Sequence, residues 1–214
     1  SALTDIDPAG YQSQLALIDC RLDAMGLYGK GDPRSPNADA SDWRVVTADA
    51  DPALAGRVAE LLDQAYVSQP DLPGMIRGGM NRIKAIVQVA EATEHFPGLG
   101  DAAKRANFLK AVQGELAGAG SAGTDLADWT AAFRRVLDSS ERTVQIPAHV
   151  LAYEFYRGSL AALGPLNSIY WPRDLAAMQG DKDKKCGIGV QARKDRGEYL
   201  TIVSPLPGSP AVKA

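Results

Sequence analysis

Cysteine, histidine, positive charge and long apolar runs are all scarce in this sequence, and each scarcity removes a class of function. Two cysteines in 214 residues, Cys20 and Cys186, are too few for a disulfide framework. They form one bridge or remain buried or free thiols, and thiols are the expectation. The two histidines, His95 and His149, fall on different predicted elements with no Cys or carboxylate cluster at ligand spacing, so capping or surface roles are expected rather than a metal site or a triad. With 23 Lys and Arg against 26 Asp and Glu, the net charge of -3 offers no basic face to displace counterions from nucleic acid. The densest basic run, Lys182, Lys184 and Lys185, is interrupted by Asp183 and reads as a solvated loop in which Asp181 and Asp183 form salt bridges. No apolar stretch approaches the ~20 residues that cross a bilayer as a helix. Neither Ser-x-x-Lys nor Gly-x-Ser-x-Gly occurs, so no catalytic residue, metal or cofactor is assigned. The chain opens on Ser1-Ala2, which reads as a cloning scar and leaves an export signal open.

Apolar residues, 45% of the chain, suffice for a core of one to two domains, and most recur at helical spacing. Leu15, Ile18, Leu22 and Met25 predict a first helix over about Pro8 to Met25 with that face inward. The breaker-rich stretch 29–42 predicts an exposed loop leading into a short extended piece, Trp43 to Val46. Asp51 as N-cap with Pro52 in first position opens a second helix carrying Leu54, Val58, Leu61 and Leu62. Ile76, Met80, Ile83 and Val87 mark a third, stopped by Pro97, and Phe108, Leu109, Val112 and Leu116 a fourth over Ala102 to Leu116. The Gly, Ala and Ser run 117–123 lacks the Lys-Ser of a phosphate loop and the preceding strand of a dinucleotide turn, so it reads as a flexible linker. Leu126, Trp129, Phe133, Val136 and Leu137 form a fifth helix, and Pro147 opens a sixth with Leu151 and Phe155. Trp129, Phe133, Phe155 and Tyr156 are expected in the core, and Tyr170 and Trp171 are candidates to pack the helical region against the C-terminal segment. After a short helix through Leu175 and Met178, period two replaces period 3.6: Gly187 to Val190 and Tyr199 to Val203 read as strands around an Asp195-Arg-Gly197 turn.

Cys186-Gly-Ile-Gly-Val190, then Tyr199-Leu-Thr-Ile-Val-Ser-Pro-Leu-Pro-Gly-Ser-Pro-Ala211, resembles the opening of the PDZ domain in carboxyl-terminal processing (tail-specific) serine proteases. Pro205, Gly208, Ser209, Pro210, Ala211 and Ala214 match that family's Pro-x-x-Gly-Ser-Pro-Ala-x-x-Ala turn into a helix. Upstream, Leu163 to Asp174 resembles its Leu-Asp-Pro-His-Ser-x-Tyr junction through Pro165, Ser168 and Tyr170, with Gly164 in place of the Asp and Leu166 in place of the His. The resemblance spans Leu151 to Ala214. It implies that the backbone N–H groups of Gly187, Ile188 and Gly189 bind a peptide carboxylate, the partners being C-terminal segments of protein substrates. Lys185 stands where the family has an aromatic residue. The resemblance also implies a catalytic Ser-Lys pair C-terminal to Ala214, an inactive fragment here, and a bacterial periplasmic or extracytoplasmic parent protein.

The expected fold is thus mainly α: a helical domain over 1–178, then a short β-hairpin that begins an incomplete PDZ-like domain over 186–214. The competing expectation is a stand-alone helical interaction or dimerisation module, favoured by the length of the helical region.

Overall fold

The computed structural model describes residues 8–29, 42–120, 123–164, 166–183, 189–194 and 200–212. Among them the chain is mainly helical with one two-stranded antiparallel hairpin near its C-terminal end. It divides into two compact units, Ser1–Trp171 and Pro172–Ala214, so the short helix expected to close the helical domain falls in the second. Among the described residues no helix is long and apolar enough to cross a membrane.

The first unit holds α1 (Pro8–Tyr28), α2 (Trp43–Val46), α3 (Leu54–Ala65), α4 (Leu72–Gln88), α5 (Ala92–His95), α6 (Ala102–Gly118), α7 (Leu126–Arg142) and α8 (Ala148–Ala161). Carboxylates set several of the starts. Asp71, Asp101 and Asp125 each accept backbone N–H groups of the first turn, and Asp125 and Asp128 form a reciprocal capping box at 2.8 and 3.0 Å.

Helix α4 is the hub. Its buried residues Met75, Ile76, Met80, Ile83 and Ile86 meet α8, α1 and α6. Helices α4 and α8 cross at Gly78 and Gly158, where a Cβ on either residue would fall on the backbone of the other. Only glycine permits that approach. Phe133 stacks on Phe155 with ring centroids 4.4 Å apart, and Trp129 Nε1 donates to Ser159 Oγ (3.1 Å), which donates to the Met75 carbonyl (3.0 Å). One polar relay thereby ties α7, α8 and α4 together inside an apolar core, with every group satisfied.

Several local expectations differ from the structure. Trp43 to Val46 is a helical turn rather than an extended piece, because the Asp42 carboxylate accepts the Arg44 N–H at 2.9 Å and caps it. The second helix starts at Leu54, since Asp51 accepts from Ala53 (2.8 Å) in a turn that precedes it. The third is shorter, ending at Gln88 before α5 and a 3-10 turn at Pro97–Gly100. Helix α6 runs through the start of the expected linker to Gly118, with Ala119 buried behind it.

The largest difference is in α1. Its expected inner stripe faces out: Leu15 is 37%, Ile18 52% and Met25 39% exposed. Ala24 and Tyr28 are buried instead, with Cys20 and Leu27 packed on the core, and the helix continues through Gly26 to Tyr28. The loop expected over 29–42 lies outside the described residues except for its first and last positions.

The second unit holds α9 (Pro172–Asp183) and a hairpin of β1 (Val190–Lys194) and β2 (Leu200–Pro205). Register runs from Val190 opposite Pro205 to Lys194 opposite Leu200, with a bulge between Gln191 and Ala192. The turn expected at Asp195-Arg-Gly197 lies outside the described residues.

Candidate functional site

The hairpin mouth is where Gly189 meets the segment from Leu206 to Ser209. The Gly189 carbonyl accepts hydrogen bonds from Leu206 N (2.7 Å) and Ser209 Oγ (2.9 Å), so the Pro-Leu-Pro-Gly-Ser-Pro stretch folds back on the strand opening. Gly189 has φ of +75°, and a Cβ there would overlap the Ser209 side chain. Conformation and space both demand glycine. The turn closes with Ser209 N donating to the Leu206 carbonyl (3.1 Å), and a 3-10 turn follows at Pro210–Val212. Ile202, Val203, Leu206 and Val212 leave large apolar surfaces exposed around this mouth. Of the predicted carboxylate-binding residues, Gly189 is placed, while Gly187 and Ile188, like Lys185 and Cys186, lie outside the described residues.

The junction residues part company. Trp171 is buried within the first unit against Tyr153 and Tyr156, with ring centroids 6.0 and 6.3 Å away, whereas Tyr170 is 54% exposed. Gly164 adopts φ of +120°, where a side chain is strained, and Asn167 Nδ2 donates to the Leu163 carbonyl at 3.0 Å to close the bend. Leu166 is almost fully exposed.

Sequence reasoning missed a buried charge cluster. Arg82 (8% exposed) donates through Nε to Glu154 Oε2 (2.6 Å) and through Nη1 to Asp23 Oδ2 (3.1 Å); Glu154 (2% exposed) accepts the Tyr28 hydroxyl on Oε1 (3.0 Å). Arg157 reaches Asp23 at 3.7 Å. Burial alone would lower the Arg82 pKa, but the charge and hydrogen bond of Glu154 outweigh it and hold the guanidinium protonated. Burial, then the Glu154 charge, pushes the Tyr28 phenol well above its usual range. A charge inside an apolar stripe, Arg82 between Met80 and Ile83 and Glu154 between Tyr153 and Phe155, was the available signal.

Of the cluster, Arg82 lines a cavity of about 310 Å³ between α1, α4 and α8, together with Leu17, Cys20, Asn81 and Gly158. Burial raises the Cys20 thiol pKa, which keeps it in the weakly nucleophilic neutral form. The contacts of the cluster tie α1 to α4 and α8 through Tyr28 and Asp23.

The histidines, separate in sequence, converge on Trp43, at centroid distances of 5.9 Å for His95 and 6.5 Å for His149. Arg44 lies over the same indole ring at 4.7 Å. Desolvation lowers the His149 pKa. Among the described residues no group of three His, Cys, Asp or Glu is arranged to hold a metal ion. No family model, curated protein or solved structure matches this chain.

Proposed function

We propose that this chain is the non-catalytic part of a carboxyl-terminal processing serine endopeptidase, in which the helical unit is a scaffold and the hairpin opens a PDZ-like module that takes the C-terminal segment of a protein substrate. The observation that carries the reading is the closure of the two motif halves on one another: Gly189 is bonded to Leu206 and Ser209 across the hairpin mouth. Gly187 and Ile188 precede Gly189 in the chain, and their N–H groups are the proposed carboxylate donors. An extended peptide would add its backbone to a hairpin edge while its carboxylate meets those donors.

The test is binding of paired peptides that differ only in a free or amidated C-terminus, followed by fluorescence anisotropy. Tighter binding of the free acid supports the reading; equal affinity, or no binding of either, sinks it. Peptide cleavage by this chain that is lost on mutating one of its own serines would overturn the non-catalytic assignment. A second reading, a helical self-association module, is favoured by the outward apolar face of α1.

A further inference from the structure

The cavity of about 310 Å³ between α1, α4 and α8 is at the lower end of the volumes that hold small organic ligands. Missing side chains create it. Gly78 and Gly158 bring α4 and α8 together on its wall without filling it, and Ala161 and Ala162 add only methyl groups beside Leu17. Two adjacent polar side chains of α4 interrupt this apolar lining. Arg82 is 8% exposed, and Glu154 and Asp23 take its Nε and Nη1. Among the described residues no acceptor takes Nη2, and yet Trp43 Nε1 is the one side-chain nitrogen or oxygen there that is both buried and without a partner. Nη2 is therefore the reachable part of a guanidinium that borders the cavity. Asn81, partly buried next to it, likewise spends its carboxamide on no group among the described residues.

We propose that this cavity binds a small neutral molecule with an apolar body and one carbonyl group, whose oxygen accepts a hydrogen bond from Arg82 Nη2 while Asn81 supplies a second polar contact. The charges of the cluster select the neutral head group. Arg82 and Arg157 are already matched by Glu154 and Asp23. A ligand carboxylate would bring a further negative charge against that pair and against Asp19 on the same wall, and an ammonium would sit against the guanidinium. Either would also lose its hydration on entering. A neutral carbonyl adds no charge to a balanced cluster, and its bond to a guanidinium is stronger than one to a neutral donor. Burial of the apolar body against Leu17 and the small residues of α8 drives binding, and the polar pair orients it. The site lies within the first unit and rests on neither peptide binding nor self-association.

Hexanamide, hexanoate and hexylammonium, which share an aliphatic tail and differ in head group, are the test. In the full chain carrying Cys186→Ser, Cys20 is the remaining thiol and borders the cavity, so the rate of its modification reports occupancy. Hexanamide is expected to slow that reaction saturably and to shift the backbone amide resonances of residues 16–20, 78–82 and 158–162. Hexanoate and hexylammonium should bind about tenfold more weakly or not at all. Ala161→Leu, at an exposed position of the wall, should fill the space and abolish the hexanamide effect without changing the melting of the chain. Asn81→Ala should weaken hexanamide by about tenfold. No protection of Cys20 by hexanamide up to its solubility limit, or protection undiminished by Ala161→Leu in the folded variant, overturns the site. Protection by either charged probe as strong as that by hexanamide overturns the neutral carbonyl. Hexanamide affinity unchanged in Asn81→Ala overturns the part given to Asn81.

Discussion

Replacing Glu154 with Ala tests the buried charge cluster most directly. The change removes the 2.6 Å ion pair to Arg82 and the 3.0 Å hydrogen bond from Tyr28. Breaking one side of a buried pair costs about 3–5 kcal/mol, because the remaining charge stays desolvated. An orphaned buried hydroxyl adds about 1–3 kcal/mol. Asp23 still accepts from Arg82 at 3.1 Å and is itself partly exposed, so some of the stranded charge remains compensated. The expected loss is therefore about 4 kcal/mol, a large part of the ~5–15 kcal/mol that holds a typical domain. Urea denaturation followed by tryptophan fluorescence measures it, since Trp129 lies in the core between α7 and α8. The control is Tyr28→Phe, Arg82→Met and Glu154→Leu together, which replaces the cluster by apolar groups of similar size. Such replacements are often neutral or stabilising, so the triple variant should lie within about 1 kcal/mol of wild type. A Glu154→Ala loss below about 1 kcal/mol, or a triple variant as damaged as the single one, would refute the reasoning.

The same cluster gives stability an alkaline limit. Tyr28 has a raised pKa in the folded chain, so its contribution is complete below the unfolded value near 10 and is lost as pH rises toward the folded one; Tyr28→Phe should flatten that decline in alkaline melts. His149 is shifted the other way by desolvation, so its contribution holds above about pH 6.5 and fades as pH falls through the lower folded value, a slope that His149→Phe should reduce in acid melts. At the α4–α8 crossing, Gly158→Ala sets a methyl against the Gly78 backbone and should cost about 1–3 kcal/mol or more in denaturant titrations. Gly189→Ala meets both a positive φ and the Ser209 side chain; carboxylate-dependent peptide binding should be lost while the helical unit melts unchanged.

Periodicity revealed the helices whose burial is one-sided. For α7 the stripe Trp129, Phe133 and Val136 is the one that is buried, because its opposite face is charged and leaves no choice. Helix α1 offers two apolar rows, and spacing alone does not say which of them meets the core. Trp43 to Val46 misled for a local reason, as β-branched valines favour extended backbone until a carboxylate at Asp42 caps the turn. At the candidate site the glycine-led strand and the Pro-Gly-Ser-Pro turn were legible as separate segments, but the bond from Ser209 to Gly189 across 20 positions was not. The charge cluster was not: Glu154 and Arg82 are 72 positions apart, and nothing in either neighbourhood names the other.

That cluster also explains which row of α1 turns inward. Either row of α1, Leu15, Ile18, Leu22 and Met25 or Cys20, Ala24, Leu27 and Tyr28, offers four side chains to an apolar core, so the hydrophobic effect alone discriminates poorly between the two dockings. Only the observed one brings Tyr28 onto Glu154 and Asp23 onto Arg82, and the other would leave a buried guanidinium and carboxylate short of partners. The polar groups act as a register key. Removing the key while keeping the apolar volume, in the same triple variant, should leave the chain folded but let α1 rotate. Cys20 is half-buried and reports on this. In a Cys186→Ser background its reaction with an aromatic disulfide reagent should be slow in the wild type and at least tenfold faster in the triple variant at equal global stability. Equal rates in the two proteins would mean that apolar packing alone sets the docking of α1.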